Sequence, residues 1–373
     1  MKFAIGASLV CTGEEMVSNT AVVIESGRIV DLIPVFEVDC GIELLPNGCI
    51  LAPGFVDLQV NGGGGVLFNE DISSAALYHI ASAHRRVGTT SLLPTLISGT
   101  RGQIGAALTA LRAVDHCSII GLHIEGPFIN LLRRGIHPAA HLIAMTEADV
   151  TVLSAPLPGR LLVTLAPECV APSMITRLIK AGVTVFAGHT DATYQQACVG
   201  LEAGITGFTH LFNAMSPLGA RAPGAVGAAL TRRCYASIIV DGLHVHPASL
   251  AVVVSAKSPD NLILVSDAMA TAASSTDRFT LAGEAISLND GRLTDAQGTL
   301  AGAHLTMAAA VRNAVDLLGL TPAQAIRMAT ATPADAIGIS DIGRLRRGAR
   351  ADLVALDPSL TVTKVWQGGV EVS

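Results

Sequence analysis

A chain of 373 residues that is 50% apolar and only 14% charged has the composition of one large buried core with at most a small satellite, which excludes a disordered chain. Aromatic residues make up 3% and the net charge is −6, so the basic groove and stacking faces of a nucleic-acid binder are missing. Mean hydropathy is +0.52, yet no apolar run approaches the ~20 residues of a bilayer helix, and neither nucleic acid nor membrane is expected as a partner.

In chain order, the run from Phe3 to Cys11 behind Met1 and Lys2 has the look of a short leader. Val10 stands where a lipoprotein signal needs a small residue, however, and the apolar stretch is shorter than a signal core. Seven scattered cysteines, none in a C-x-x-C pair, read as reduced thiols; the expected location is the cytoplasm. Segments 2–11, 20–33 and 42–46 carry strand signals, as do 351–357, 361–366 and 370–372 at the far end. From Pro53 onward the pattern changes to apolar strands at 54–60, 89–96, 119–124, 161–166, 183–187, 205–209, 236–240 and 262–266. Helix-length amphipathic segments separate them, for example 73–86, 104–114, 172–181 and 193–203. Eight β-then-α units predict an α/β protein built as a (β/α)8 TIM barrel, whose usual size is ~250 residues. The expected division is a barrel catalytic domain over 53–342 and a small β-sandwich domain made from both chain termini, 1–52 and 343–373. The Gly62–Gly65 run lacks the G-K-[ST] ending of a phosphate loop and reads as a flexible turn.

Barrels of this kind carry their chemistry at the C-terminal ends of the strands. Here those ends read Gln59-x-Asn61, His123-x-Glu125, His189, His210 and Asp267. A lone histidine at a strand end is more often a hydrogen-bonded structural residue than a ligand. Two of them with a glutamate, each directly after a buried strand, form the carboxylate-and-imidazole set of a catalytic divalent metal with an open position. Asp267 fits either a helix cap or a general base beside the metal's water, and the base is the reading adopted.

The local sequences Pro53-Gly54-Phe55-Val56-Asp57, Leu122-His123-Ile124-Glu125-Gly126-Pro127-Phe128, Gly188-His189-Thr190, Thr209-His210-Leu211-Phe212-Asn213-Ala214-Met215, Asp241-Gly242-Leu243-His244-Val245 and Ser266-Asp267-Ala268 carry a resemblance. Together with Gly343-Arg344-Leu345, Gly348 and Ala351-Asp352-Leu353-Val354 near the end, the chain resembles the N-acetylglucosamine-6-phosphate deacetylase family of the amidohydrolase superfamily. The resemblance implies hydrolysis of the N-acetyl group of a phosphorylated amino sugar, in amino-sugar catabolism and cell-wall recycling. It implies that Glu125, His189 and His210 hold one divalent metal per chain, zinc first with iron, cobalt or manganese as substitutes, and that Asp267 moves the proton from water to the departing amine. His137 would contact the acetamide, and Asn213, Ala214, Arg221 and His244 match phosphate-binding positions. In the family that arginine can come from a neighbouring subunit, which implies a homodimer. Family enzymes read Gly-x-His-Asn-Pro around that histidine, whereas this chain reads Gly135-Ile136-His137-Pro138.

Many amidohydrolases hold two metals with H-x-H after the first strand and a modified lysine after the fourth. Those positions here are Gln59-x-Asn61 and Glu168, so a single metal is expected, with Glu168 a supporting residue. Alternatives are an amidohydrolase acting on an N-acyl amino acid or cyclic amide, a deaminase, and a non-catalytic sugar-phosphate binder. Asp267 beside a complete ligand set speaks against the last, because binding alone has no use for a general base.

Overall fold

The computed structural model describes residues 2–372. Its centre is a sheet of eight strands paired in parallel: Phe55–Val60, Thr89–Ile97, Gly121–Glu125, Arg160–Leu165, Thr184–Ala187, Gly207–Phe208, Tyr235–Ile238 and Leu262–Leu264. Every residue of the first three is buried, as expected of strands packed on both faces. The helices between them start where the sequence provides caps. Ser73 accepts from the Ala76 amide, and Thr100 with Gln103 and Thr193 with Gln196 form reciprocal capping boxes at Arg101–Ala113 and Tyr194–Glu202. Pro172 supplies the first turn of Pro172–Lys180, where a missing amide hydrogen costs nothing. The apolar faces of these helices join the strands in one contiguous core.

The sheet closes at the seam between the first and eighth strands. Val60 bridges Ala268 in parallel, and the amides of Asn61 and Gly62 both donate to the Ala268 carbonyl at 2.9 Å. The buried Asp57 carboxylate accepts from the Ser266 hydroxyl and from the Gln59 amide, and burial pushes its pKa up to about 7. This seam positions the site, because Gln59, Asn61 and Asp267 all emerge from it.

Strands from both ends of the chain pair in a separate eight-stranded sheet: Lys2–Cys11, Met16–Glu25, Arg28–Pro34, Gly41–Leu44 and Ile50–Pro53 with Leu353–Leu356, Val362–Gln367 and Val370–Glu371. Trp366, Ile5, Val22 and Ile24 pack together on one of its faces. A four-stranded sheet, Arg278–Leu281, Glu284–Asn289, Arg292–Thr294 and Leu300–Ala303, follows the eighth barrel strand and was not foreseen. Its hairpin signals are nonetheless in the sequence: Ala282-Gly283 and Asp290-Gly291 both take positive φ at both turn positions, as tight two-residue hairpins demand. The Gly62–Gly63 pair is also more ordered than a flexible turn, since it forms a small antiparallel ladder with Val66–Leu67. Among the described residues no helix is long and apolar enough to cross a membrane.

Candidate metal centre and active site

The third, fifth and sixth strands deliver Glu125, His189 and His210 to one point, where a ligand atom from each lies within 4.8 Å of the others. All three are buried. His210 Nε2 sits 2.9 Å from Glu125 Oε1 and 3.1 Å from His189 Nε2, and His189 Nε2 is 3.3 Å from the same oxygen. The far side of the His189 ring decides its tautomer: Nδ1 donates to the Arg133 carbonyl at 2.8 Å, which leaves a lone pair on Nε2. Three ligand atoms therefore converge, the His189 lone pair turned inward, and this donor set fits a divalent cation. Burial would raise the Glu125 carboxyl, but hydrogen bonds and charge from the two histidines hold it well below its usual range. Burial likewise opposes charging of His210, and its bond to Glu125 overrides that and raises it.

Asp267 lies beside this triad at the wall of a cavity of about 300 Å³. Asn61 Nδ2 donates to its Oδ1 at 2.7 Å, and Gln59 Nε2 bridges the same oxygen at 3.1 Å to Glu125 Oε1 at 3.0 Å. Where the two-metal pattern needs imidazole acceptors, this chain presents amide donors. Burial and the Glu125 charge push Asp267 up to about 6, in the range where a carboxylate both takes and returns a proton. His189, His210 and Asp267 have left-handed backbone, at φ of 48°, 35° and 48°, which bends each chain segment sharply just beyond its strand, and Ala214 is left-handed too at 50°.

His137 also lines the cavity, with Nε2 3.9 Å from Glu125 Oε2 and its ring against that of His189 at 4.2 Å. Burial and the neighbouring His189 keep it well below the ordinary histidine range, hence neutral. His244, Asn213 and Ala214 line the same cavity, and His244 Nδ1 is bonded to Asp241 Oδ2 at 2.6 Å, leaving Nε2 for a ligand. Arg221 is not brought to this cavity; it sits on an exposed loop between Ser216 and Gly224. Glu168 lies behind the triad, accepting from Asn130 Nδ2 at 2.9 Å, the Thr190 hydroxyl and the Asp191 amide. It thereby ties the His189 turn to the loop that carries Arg133. Sequence reasoning missed Arg133, which lines the cavity while bonded to Asp191, and missed Met269, Leu300 and Gly302, which close the cavity from the eighth strand and the unforeseen sheet.

Residues 50–372 match the model of the amidohydrolase family. This chain belongs to that family. It is 41% identical to the N-acetylgalactosamine-6-phosphate deacetylase of Shewanella sp. (strain ANA-3) over 87% of its length and 83% of that protein. It is 35% identical to the N-acetylglucosamine-6-phosphate deacetylase of Haemophilus influenzae over 97% of both chains. The crystal structure of N-acetylglucosamine-6-phosphate deacetylase from Pasteurella multocida superposes with a TM-score of 0.96 at 34% identity, covering 100% of both chains. As an amidohydrolase the chain carries the barrel and the cluster for a metal-dependent hydrolysis of a C–N bond, as expected from its sequence.

Proposed function

We propose that this protein removes the N-acetyl group of N-acetylglucosamine 6-phosphate, giving glucosamine 6-phosphate and acetate. The observation that carries the reading is the placement of Asp267, held by two amide donors at the edge of a Glu–His–His cluster in a cavity that a neutral His137 also lines. When bound at Glu125, His189 and His210, a single divalent cation, zinc first, supplies Lewis acidity toward water and carbonyl oxygen. Both amides donate to Asp267 Oδ1, which leaves Oδ2 as the proton-exchanging atom. As water oxygen bonds to the acetyl carbon, its proton passes to Asp267 and negative charge builds on the carbonyl oxygen. His137 donates to that oxygen, an interaction that strengthens as the charge grows. Asp267 then protonates the nitrogen, the C–N bond breaks, and amine and acetate leave.

The polar side of the cavity supports a phosphorylated sugar. His244, the Asn213 side chain and the Ala214 backbone supply donors there, and the exposed Arg221 serves as the charge-assisted phosphate ligand of a partner subunit's site in a homodimer. The chemistry belongs to cytoplasmic amino-sugar metabolism. The proposed barrel domain is 53–342, and the sheet containing both chain ends supports a second unit from 1–52 and 343–373. A second reading is favoured by the 41% relative: the substrate is the galacto epimer, differing only in the direction of one hydroxyl. Initial rates of acetate release from both 6-phosphorylated epimers decide between them, and the gluco reading requires the higher kcat/KM on the gluco substrate.

A further inference from the structure

We infer that Ser98 is a positioning residue that locks His137 in the tautomer able to donate to the substrate's carbonyl oxygen; this rests on the deacetylase reading above. Ser98 is the first residue beyond the second barrel strand and is buried. Its hydroxyl lies 2.7 Å from His137 Nδ1, and its backbone amide is directed at the same nitrogen at 3.3 Å. A backbone N–H can only donate, so Nδ1 is the acceptor and the neutral ring carries its hydrogen on Nε2. That hydrogen belongs to the nitrogen on the Glu125 side of the ring, at the cavity wall. Without the lock the ring can place its hydrogen on Nδ1, and Nε2 then offers a lone pair to a carbonyl oxygen, which repels it.

The surroundings are fitted to this contact. The Ser98 carbonyl accepts from His141 Nδ1 at 3.0 Å, which fixes the peptide on its other side. A Cβ at Gly126 would stand 2.3 Å from Ser98 Oγ, so the glycine of Glu125-Gly126-Pro127 leaves the space that the hydroxyl occupies. The Gly126 φ of 78° also favours glycine there.

The test compares wild type with Ser98→Ala and Ser98→Thr. In histidine-¹⁵N-labelled protein, the His137 signals, assigned by their loss in His137→Asn, should report an unprotonated Nδ1 and protonated Nε2 in wild type. Ser98→Ala removes the hydroxyl at 2.7 Å and leaves only the longer backbone amide contact at 3.3 Å, so it should shift His137 toward a tautomer mixture and lower kcat about tenfold or more with little change in KM, because a transition-state donor is weakened. Ser98→Thr, which restores a hydroxyl, should recover both readouts. A wild-type His137 protonated on Nδ1 overturns the proposal even if Ser98→Ala does not fold. So does a Ser98→Ala protein with unchanged tautomer. Failure of the deacetylase reading is recognised separately, as wild type that releases no acetate whatever the state of His137.

Discussion

In the proposed reaction Asp267, a side chain of ordinary chemistry, becomes a proton carrier through its setting. Burial and the Glu125 charge raise its pKa to about 6, while the nearby His210 and His244 and the hydrogen bond from Asn61 limit the rise. Because the deprotonated form is the base, turnover should fall as pH drops through that pKa and level off above it. A bound cation moves this limb to lower pH, so a kcat/KM profile should show an acidic limb at or below about pH 6. Asp267→Asn should keep cation and substrate binding yet lose about 10²–10⁴-fold in kcat, the usual worth of a general base; near-normal turnover removes Asp267 from the role. Glu125, His189, His210 and Asp267 were legible in the sequence because each stands at the end of an apolar run, whereas His137, Asn213, Ala214, Arg221 and His244 were reached only through the family resemblance. The histidine tautomers were not legible. The His189 hydrogen is held on Nδ1 by the Arg133 carbonyl, 56 positions away, and the His137 hydrogen is held on Nε2 by Ser98 donating to Nδ1, 39 positions away.

Among the elements, the strands that reach the site are cross-linked beneath it by polar side chains. His123 Nδ1 meets the Thr95 hydroxyl at 3.2 Å and its Nε2 meets Thr164 at 2.8 Å, while Thr164 continues to Thr209 at 2.7 Å. This chain ties the second, third, fourth and sixth strands together on the side of the sheet that carries Glu125, two residues after His123. Burial depresses the His123 pKa to about 4, so the unfolded chain binds a proton more readily than the folded one. Its stabilisation is complete above about pH 6.5 and is lost as pH falls toward 4. Asp57 acts in the opposite sense, because its folded pKa is raised to about 7 and its effect on stability worsens as pH rises toward that value. The two oppose each other in overall stability curves, but a difference isolates His123. The stability advantage of wild type over His123→Gln, measured by denaturant unfolding, should shrink between pH 7 and pH 4.5; a constant difference contradicts the assignment. The eight strands were readable from their buried apolar runs, whereas the sheet spanning Arg278–Ala303 was not recognised because its strands are short and half-exposed.

Across the whole molecule, buried polar side chains are spread through the fold, Asp149, Lys257 and Asp352 among them, and one group, Glu125, His137, His189, His210 and Asp267, lines the cavity at one end of the barrel. The terminal strands were legible as β, but only the paired register of Ile50–Pro53 with Leu353–Leu356 reveals how the two ends of the chain meet. Arg221, the proposed phosphate ligand, does not line the cavity of its own chain. If a partner subunit supplies it, an Arg221→Ala subunit and an Asp267→Asn subunit, each nearly inactive alone on phosphorylated substrate, should regain up to about half of one wild-type dimer's activity when co-assembled, since one of two sites is then intact. No recovery in a verified heterodimer places the arginine in its own subunit or outside the reaction. The central claim, a cation-dependent deacetylation of a 6-phosphorylated amino sugar, is tested most directly by measuring acetate and free amine released from N-acetylglucosamine 6-phosphate after chelation and after re-addition of one divalent cation. Equal yields of the two products that vanish on chelation and return with about one cation per chain are the predicted result; no release from this substrate or its galacto epimer with any of zinc, iron, cobalt or manganese contradicts it.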